Sequence, residues 1–145
     1  MPVQPIPDGF HSVTPYLVVD GATELIEFMK KGLGAEEMHR STRGDGAILH
    51  AQVRIGSSIL MLADAPQGRA PMPCSFYLYG QDVDGRYERA LSAGGKSIMK
   101  PADMFYGDRN AGVVGPGGVE WWFATHIEDL SEAELARRAK AAGKG

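Results

Sequence analysis

The amino-acid sequence predicts an α+β protein in which one strand-helix-strand-strand-strand unit occurs twice and a C-terminal helix follows. Glycine clusters separate short segments of apolar residues along the 145-residue chain. Two of these segments carry apolar residues at helical spacing, and each follows a strand-like segment. A shift of 62 residues superposes Asp20 on Asp82 and Gly32 on Gly94, with strand, helix and glycine stop in the same order. The chain is therefore predicted to be one domain, residues 1–145, built from a repeat.

The first unit, or module, covers about residues 12–66. Its strand, helix and three further strands are predicted at residues 13–19, 21–34, 35–41, 46–58 and 58–65, with the last two strands joined around Gly56. The helix is predicted from apolar residues at helical spacing, namely Leu25, Ile26, Met29 and Leu33. Gly32 and Gly34 are expected to stop that helix.

The second module covers about residues 74–127. Its elements are predicted at residues 74–80, 82–95, 96–105, 110–115 and 119–126, with the helix second. Beyond it, Ser131 and Glu134 have the spacing of a capping box, in which a serine and a glutamate satisfy the first backbone N–H groups of a helix. A C-terminal helix is therefore expected over about residues 131–142.

Composition and missing motifs exclude several function classes. The net charge of −3 is not that of a nucleic-acid-binding surface, and no apolar run approaches the ~20 residues of a membrane span. The single cysteine, Cys74, cannot form an internal disulfide, and no signal-peptide pattern is visible, so a cytoplasmic protein is expected. The sequence has no phosphate-binding glycine loop and no G-x-S-x-G elbow, so it does not support a nucleotide-binding protein or a serine hydrolase.

Four segments carry a resemblance to a known family. They are "VTPYLVVDGATELIEFMKKGLGAEE", "ILMLAD", "QDVDGRYERALSAGG" and "FYGDRNAGVVGPGGVEWWFATHIEDLS". Over roughly residues 12–131 the chain resembles the vicinal-oxygen-chelate superfamily of glyoxalase I, bleomycin-resistance proteins and extradiol dioxygenases, and within it the PhnB-like branch. The resemblance implies that each module curls its mixed sheet into an open U. The two modules then enclose a cavity, often across a homodimer.

The resemblance also implies where a metal would be bound. Relatives that use a metal place one His, Glu or Gln ligand on the first strand and one on the last strand of each module. Those places fall here at Val13 (or Thr14), Met61, Ser75 and Trp122. None of these side chains is a usual ligand of Mn, Fe, Ni or Zn. The expectation is a metal-free cavity with no cofactor, and a divalent metal stays open as the less favoured alternative.

Strand alternation extends the list of residues expected at the cavity. If Ser75 and Trp122 face inward, so do the alternate residues on their strands. Trp121 then faces a helix, and Phe76 lies behind the sheet. In residues 47–54 alternation places Ile48, His50, Gln52 and Arg54 on one face. The other face, expected to meet a helix, carries Ala47, Leu49, Ala51 and Val53. The segment 105–115 is expected to cover the cavity mouth as a loop. The candidate ligand-binding residues are Met61, Ser75, Tyr77, Tyr79, Trp122, Glu120, His50, Tyr106 and Arg109.

These residues are compatible with three functions. The first is a metal-free binding protein that holds a small aromatic or hydrophobic molecule in a dimer-associated cavity. The alternative is a glyoxalase-like lyase or isomerase, or a dioxygenase-type enzyme, that uses a metal or His50 and Glu120 as acid and base. The third is a structural or regulatory dimer whose cavity is filled.

Overall fold

The computed structural model describes residues 3–72 and 74–143, and the predicted repeat is confirmed. The first module comprises β1 (Tyr16–Val19), α1 (Ala22–Leu33), β2 (Glu36–Thr42), β3 (Ile48–Ile55) and β4 (Ser58–Asp64). The second module comprises β5 (Ser75–Tyr79), α2 (Val83–Ser92), β6 (Lys96–Asp103), β7 (Asp108–Val114) and β8 (Glu120–His126), with a short 3-10 turn at Pro116–Gly118. The C-terminal helix is α3 (Glu132–Ala141).

Each module forms its own four-stranded mixed sheet, and the two sheets have the same topology. The strand orders are β1-β4-β3-β2 and β5-β8-β7-β6. The first and last strands of each module pair in parallel, and the other neighbours pair antiparallel. A parallel pair needs a long crossover connection, which a two-residue hairpin cannot provide. In each module the helix and the two middle strands form that connection.

One continuous core lies on the helix-covered faces of both sheets. Helices α1 and α2 pack against each other, and Gly32 is the point of closest approach. A Cβ atom at Gly32 would lie 2.9 Å from the Cβ atom of Ala93 and 3.3 Å from the Cα atom of Ala90. Gly32 therefore serves helix packing inside α1, contrary to the prediction that it stops the helix. Gly34 alone forms the C-terminal cap of α1, with a left-handed φ of 65°.

A β-bulge changes the alternation expected in β3. The β2–β3 register shifts between Ser41, which pairs with His50, and Thr42, which pairs with Ile48. Leu49 is the extra residue and is 51% exposed, whereas Ile48 is buried. The prediction that Ile48 shares a face with His50 and Leu49 lies on the core face is therefore wrong at these two positions.

The segment 105–115 is mostly strand, not a loop. β7 begins at Asp108, and only the turn at residues 104–107 precedes it, closed by a hydrogen bond of 3.1 Å from the Gly107 amide to the Met104 carbonyl. At the C-terminus, Ser131 caps α3 by accepting from the Glu134 amide at 3.1 Å, as predicted. None of the three helices in the described part of the chain is long and apolar enough to cross a membrane.

Candidate functional site

A pocket of about 480 Å³ opens on the outer face of the second sheet, the face turned away from α2. We call it the aromatic pocket, and its walls combine aromatic rings and thioethers with a few polar groups. The lining residues are Ser75, Phe76, Tyr77, Met99, Met104, Tyr106, Asn110 and Trp122.

The two neighbouring tryptophans of β8 lie on opposite faces of the sheet. Trp121 is 0% exposed and stacks on Phe76 with ring centroids 5.2 Å apart. Trp122 lies in the wall of the aromatic pocket, and its indole covers Gly112 of the neighbouring strand β7. A Cβ atom at Gly112 would lie 2.6 Å from the indole, so only glycine leaves room for the ring there.

Glu120 holds the tryptophan and is not free in the pocket. Its Oε1 accepts a hydrogen bond from Trp122 Nε1 at 3.1 Å and another from Ser75 Oγ at 3.3 Å. Ser75 and Glu120 are direct partners in the β5–β8 pairing. The carboxylate therefore orients the indole and the end of β5, and it does not lie among the residues that line the pocket.

A buried carboxylate organises the polar groups next to the pocket. Asp108 is 4% exposed, and its Oδ2 accepts from the hydroxyls of Tyr77 at 2.7 Å and Tyr79 at 3.0 Å. Its Oδ1 lies 3.2 Å from His126 Nδ1. Burial raises the pKa of Asp108, but the hydrogen bonds from Tyr77, His126 and Tyr79 outweigh burial, and the pKa is lowered overall. Asp108 is therefore an anion at neutral pH.

The Asp108 anion fixes the orientation of Asn110. Because the Tyr77 hydroxyl donates its hydrogen bond to Asp108, the Tyr77 oxygen can only accept from Asn110, which donates through Nδ2 at 3.1 Å. Nδ2 also donates to the hydroxyl of Tyr106. The Oδ1 atom of Asn110 is then left buried, with no hydrogen-bond partner among the described residues.

Tyrosine protonation follows from the same contacts. Burial is the largest cause that raises the pKa of Tyr77, and the hydrogen bond to Asp108 raises it further. At Tyr79 the hydrogen bond to Asp108 is the main cause of a raised pKa. Both hydroxyls therefore stay protonated at neutral pH and act as donors to Asp108.

The structure places His50 and Met61 on the first sheet, away from the aromatic pocket. Met61 pairs with Tyr16 on one side and Gln52 on the other. The His50 ring lies 5.8 Å from Tyr16 between centroids, and its Nε2 lies 3.4 Å from Gln52 Nε2. His50 and Glu120, the proposed acid–base pair, thus belong to different sheets and are not brought together within one chain.

Of the other predicted residues, Ser75, Tyr77, Tyr106 and Trp122 line the pocket, and two do not. Tyr79 is 64% exposed and reaches Asp108 from the outside. Arg109 lies on the helix side of β7, where it binds Asp84 at 2.8 Å and Asp103 at 2.9 Å. Arg109 was expected to contact a ligand from a loop over the cavity mouth, but it lies in strand β7, where alternation gives the position at the pocket to Asn110.

Sequence reasoning missed Phe76, Met99, Met104, Asn110 and Asp108. A signal for two of them was present, because Asp108 and Asn110 are polar residues two apart in one strand, so alternation places them on the same face. Phe76 was expected behind the sheet, but as part of the edge strand β5 it both stacks on Trp121 and reaches the pocket. The methionines had no local signal.

The residues at the places implied for metal ligands do not fit a divalent metal. Val13 is 82% exposed and precedes β1, and the remaining places present a thioether, a hydroxyl and an indole. Within residues 3–72 and 74–143, no group of three or more His, Cys, Asp or Glu side chains could hold a metal ion.

Comparison with known proteins agrees with this architecture. The family model of the Glyoxalase/Bleomycin resistance protein/Dioxygenase superfamily matches residues 9–123. The chain belongs to this superfamily. It is 31% identical over 145 residues to the uncharacterized protein Rv0887c of Mycobacterium tuberculosis, covering 92% of this chain and 85% of that protein. Membership of the PhnB-like branch stays a prediction.

Solved structures share the fold at lower identity. The crystal structure of TioX from Micromonospora sp. ML1 has a TM-score of 0.65 at 19% identity, covering 83% of this chain and all 100% of TioX. A gene product of Arabidopsis thaliana has a TM-score of 0.66 at 22% identity, covering 79% of this chain and 98% of that one. A glyoxalase/bleomycin resistance protein/dioxygenase from Nocardioides has a TM-score of 0.60 at 23% identity, covering 84% and 87% of the two chains. These likenesses show the fold alone.

Proposed function

We propose that this protein binds a small, flat, apolar or aromatic molecule in the aromatic pocket, without a metal ion. The observation that carries the proposal is the pocket of about 480 Å³ in which Trp122 lies flat over Gly112. That volume lies within the range of small-molecule sites, and aromatic and thioether walls favour apolar ligands. The hydrogen bond from Trp122 to Glu120 fixes the indole before any ligand arrives, which reduces the entropy lost on binding.

The polar end of the pocket indicates what the ligand carries. Tyr106 lines the pocket, and its hydroxyl has a proton that Asn110 does not use, because Asn110 donates to the Tyr106 oxygen. A ligand with one hydrogen-bond acceptor on a flat apolar body matches this donor. That hydrogen bond would orient the body over Trp122.

Ligand binding can be measured directly by the fluorescence of Trp122 in a variant that has no other tryptophan. Trp121→Phe leaves Trp122 as the only tryptophan, because the chain has 2. A set of small planar compounds, neutral and cationic, is titrated while Trp122 emission and the melting temperature are followed. We expect at least one compound to quench Trp122 and to raise the melting temperature. Binding that survives Trp122→Ala, or a whole set without a binder, contradicts the proposal.

A homodimer is the proposed assembly. The outer faces of both sheets are uncovered in one chain, and they expose large apolar side chains: Tyr16 is 53% exposed, Leu49 51% and Tyr79 64%. A second copy related by a two-fold axis would cover both faces with the same contacts. Light scattering at micromolar concentration should give twice the 15.6 kDa of one chain. A mass of one chain under these conditions contradicts the dimer.

A further inference from the structure

A second cavity of about 480 Å³ lies between the two modules, where the β3–β4 turn meets the end of β5. We call it the inter-module cleft. The first module contributes Ile55, Ser57 and Ser58, and the second contributes Leu78, Gly80 and Arg86. The cleft shares only Tyr77 with the aromatic pocket among the lining residues.

Arg86 is unusual among the arginines of this protein. Its half-buried guanidinium lies over the Phe123 ring at 5.0 Å, and its Nη1 donates to the Leu78 carbonyl at 3.3 Å. A Cβ atom at Gly80 would lie 2.9 Å from Nη1, so the absence of a side chain at Gly80 leaves the guanidinium its space. The side chain is thus placed by contacts on two sides.

No carboxylate within the described residues forms an ion pair with this guanidinium. Other partly buried arginines are paired, with Arg109 at 2.8 Å from Asp84 and Arg138 at 2.6 Å from Glu128. Asp82 is close enough to favour the Arg86 charge, but it pairs with Arg89 at 3.9 Å. Burial is the main cause that lowers the pKa of Arg86, and the Arg89 charge lowers it further. Arg86 therefore holds a partly desolvated positive charge that no carboxylate of the described residues contacts directly.

The chemistry of the cleft around this charge selects a class of ligand. A guanidinium has five N–H donors in a planar fork that matches the oxygens of a carboxylate or a phosphate group. Within residues 3–72 and 74–143, the Arg86 guanidinium makes only one hydrogen bond. Ser57 and Ser58 add hydroxyls from the other module, and Leu33, Ile55 and Leu78 add apolar wall. A cation, hydroxyls and apolar side chains together suit a small organic anion.

We propose that the inter-module cleft is a second ligand site, which binds the carboxylate or phosphate group of a small organic anion through Arg86. The apolar body of the anion packs on Leu33, Ile55 and Leu78. The site is separate from the aromatic pocket, because the two share only Tyr77 among their lining residues and Trp122 does not line the cleft.

Calorimetric titration with benzoate, phenyl phosphate and neutral benzamide tests this site. We expect one of the two anions to bind saturably at millimolar concentration or below, and benzamide not to bind. If only benzoate binds, the cleft is a carboxylate site. If only phenyl phosphate binds, the cleft is a phosphate site. Arg86→Met should weaken that binding about tenfold or more, since hydrogen bonds to a charged group are lost.

Matched variants make the result decisive. Arg89→Met removes an arginine from the same helix whose side chain is 59% exposed, and it should leave anion binding unchanged. Trp122→Ala should also leave it unchanged. If Arg86→Met does not fold, Arg86→Lys keeps the charge without the planar fork and should still weaken binding. The proposal is overturned if neither anion binds, if Arg86 variants bind like the wild type, or if Trp122→Ala alone removes binding.

Discussion

The outer faces of the two sheets are built from the same unit, yet only the second carries the aromatic pocket. In the first sheet, one row across the strands reads Tyr16, Met61, Gln52 and His39. In the second sheet, the corresponding row reads Tyr77, Trp122, Gly112 and Met99. The tyrosine is the same in both rows, and every other position differs.

The difference at the third position of the row explains the pocket. Gln52 presents a long side chain beside Met61, whereas Gly112 presents none beside Trp122. The indole can therefore lie flat against the backbone of β7, where a Cβ atom would be 2.6 Å away. Two sheets of one topology thus acquire different surfaces through side-chain volume at paired positions, with no change in the backbone order.

The largest expected effect separates the two faces of β8. Trp121→Ala should lower the free energy of unfolding by about 3–5 kcal/mol, the cost of truncating a core aromatic residue. Trp122→Ala should cost clearly less stability, but should weaken ligand binding by about 2 kcal/mol or more. Urea unfolding of both variants measures the stability. Titration with a planar compound that quenches Trp122 in the wild-type protein measures the binding. An exchange of the two roles would mean that Trp122, not Trp121, supports the core.

Exchange of the third row position between the sheets is the next test. Gly112→Gln puts the residue of the first sheet under the indole, and the clash should cost about 1–3 kcal/mol and displace Trp122. Ligand binding should then be lost. The matched change, Gln52→Gly, should leave ligand binding unaffected. Equal binding by Gly112→Gln and the wild type would show that the flat indole is not needed.

A smaller effect is expected at the first residues of β3 and β7, which correspond in the two modules. Ile48 and Asp108 are both buried there, but only Asp108 is charged. Because the pKa of Asp108 is lowered in the folded protein, its carboxylate stabilises the fold fully above the unfolded pKa of about 3.9. That contribution is lost as the pH falls through the folded pKa. Asp108→Asn should cost roughly 1 kcal/mol at neutral pH and flatten the acid limb of the stability profile. The same slope in both proteins, measured by urea unfolding between pH 6 and acid, would exclude this role.

The smallest expected effect is that of chelation. Because neither row offers a set of metal ligands, EDTA should change neither the melting temperature nor ligand binding. Differential scanning calorimetry before and after dialysis against EDTA measures this. A drop of several degrees that Mn, Ni or Zn reverses would show that the residues hold a metal after all.

Much of the fold and part of the site could be read from local pattern. Helical spacing and glycine stops predicted α1 and α2, and strand alternation separated Trp121 from Trp122. These signals are local, because a side chain's direction follows from the conformation of its own strand or helix. The same rule placed Ser75 and Tyr77 on the face that forms the pocket wall.

What only the tertiary structure decided depends on pairing between distant segments. The bulge at Leu49, the separation of His50 from Glu120 and the space that Gly112 leaves for Trp122 all follow from strand register and sheet order. The burial of Asp108 also depends on Tyr77, 31 residues away. The sequence by itself determined the repeated unit and the faces of its strands, because these follow from local periodicity. The tertiary structure decided which faces become a pocket, because that depends on the volumes of side chains brought together from different strands.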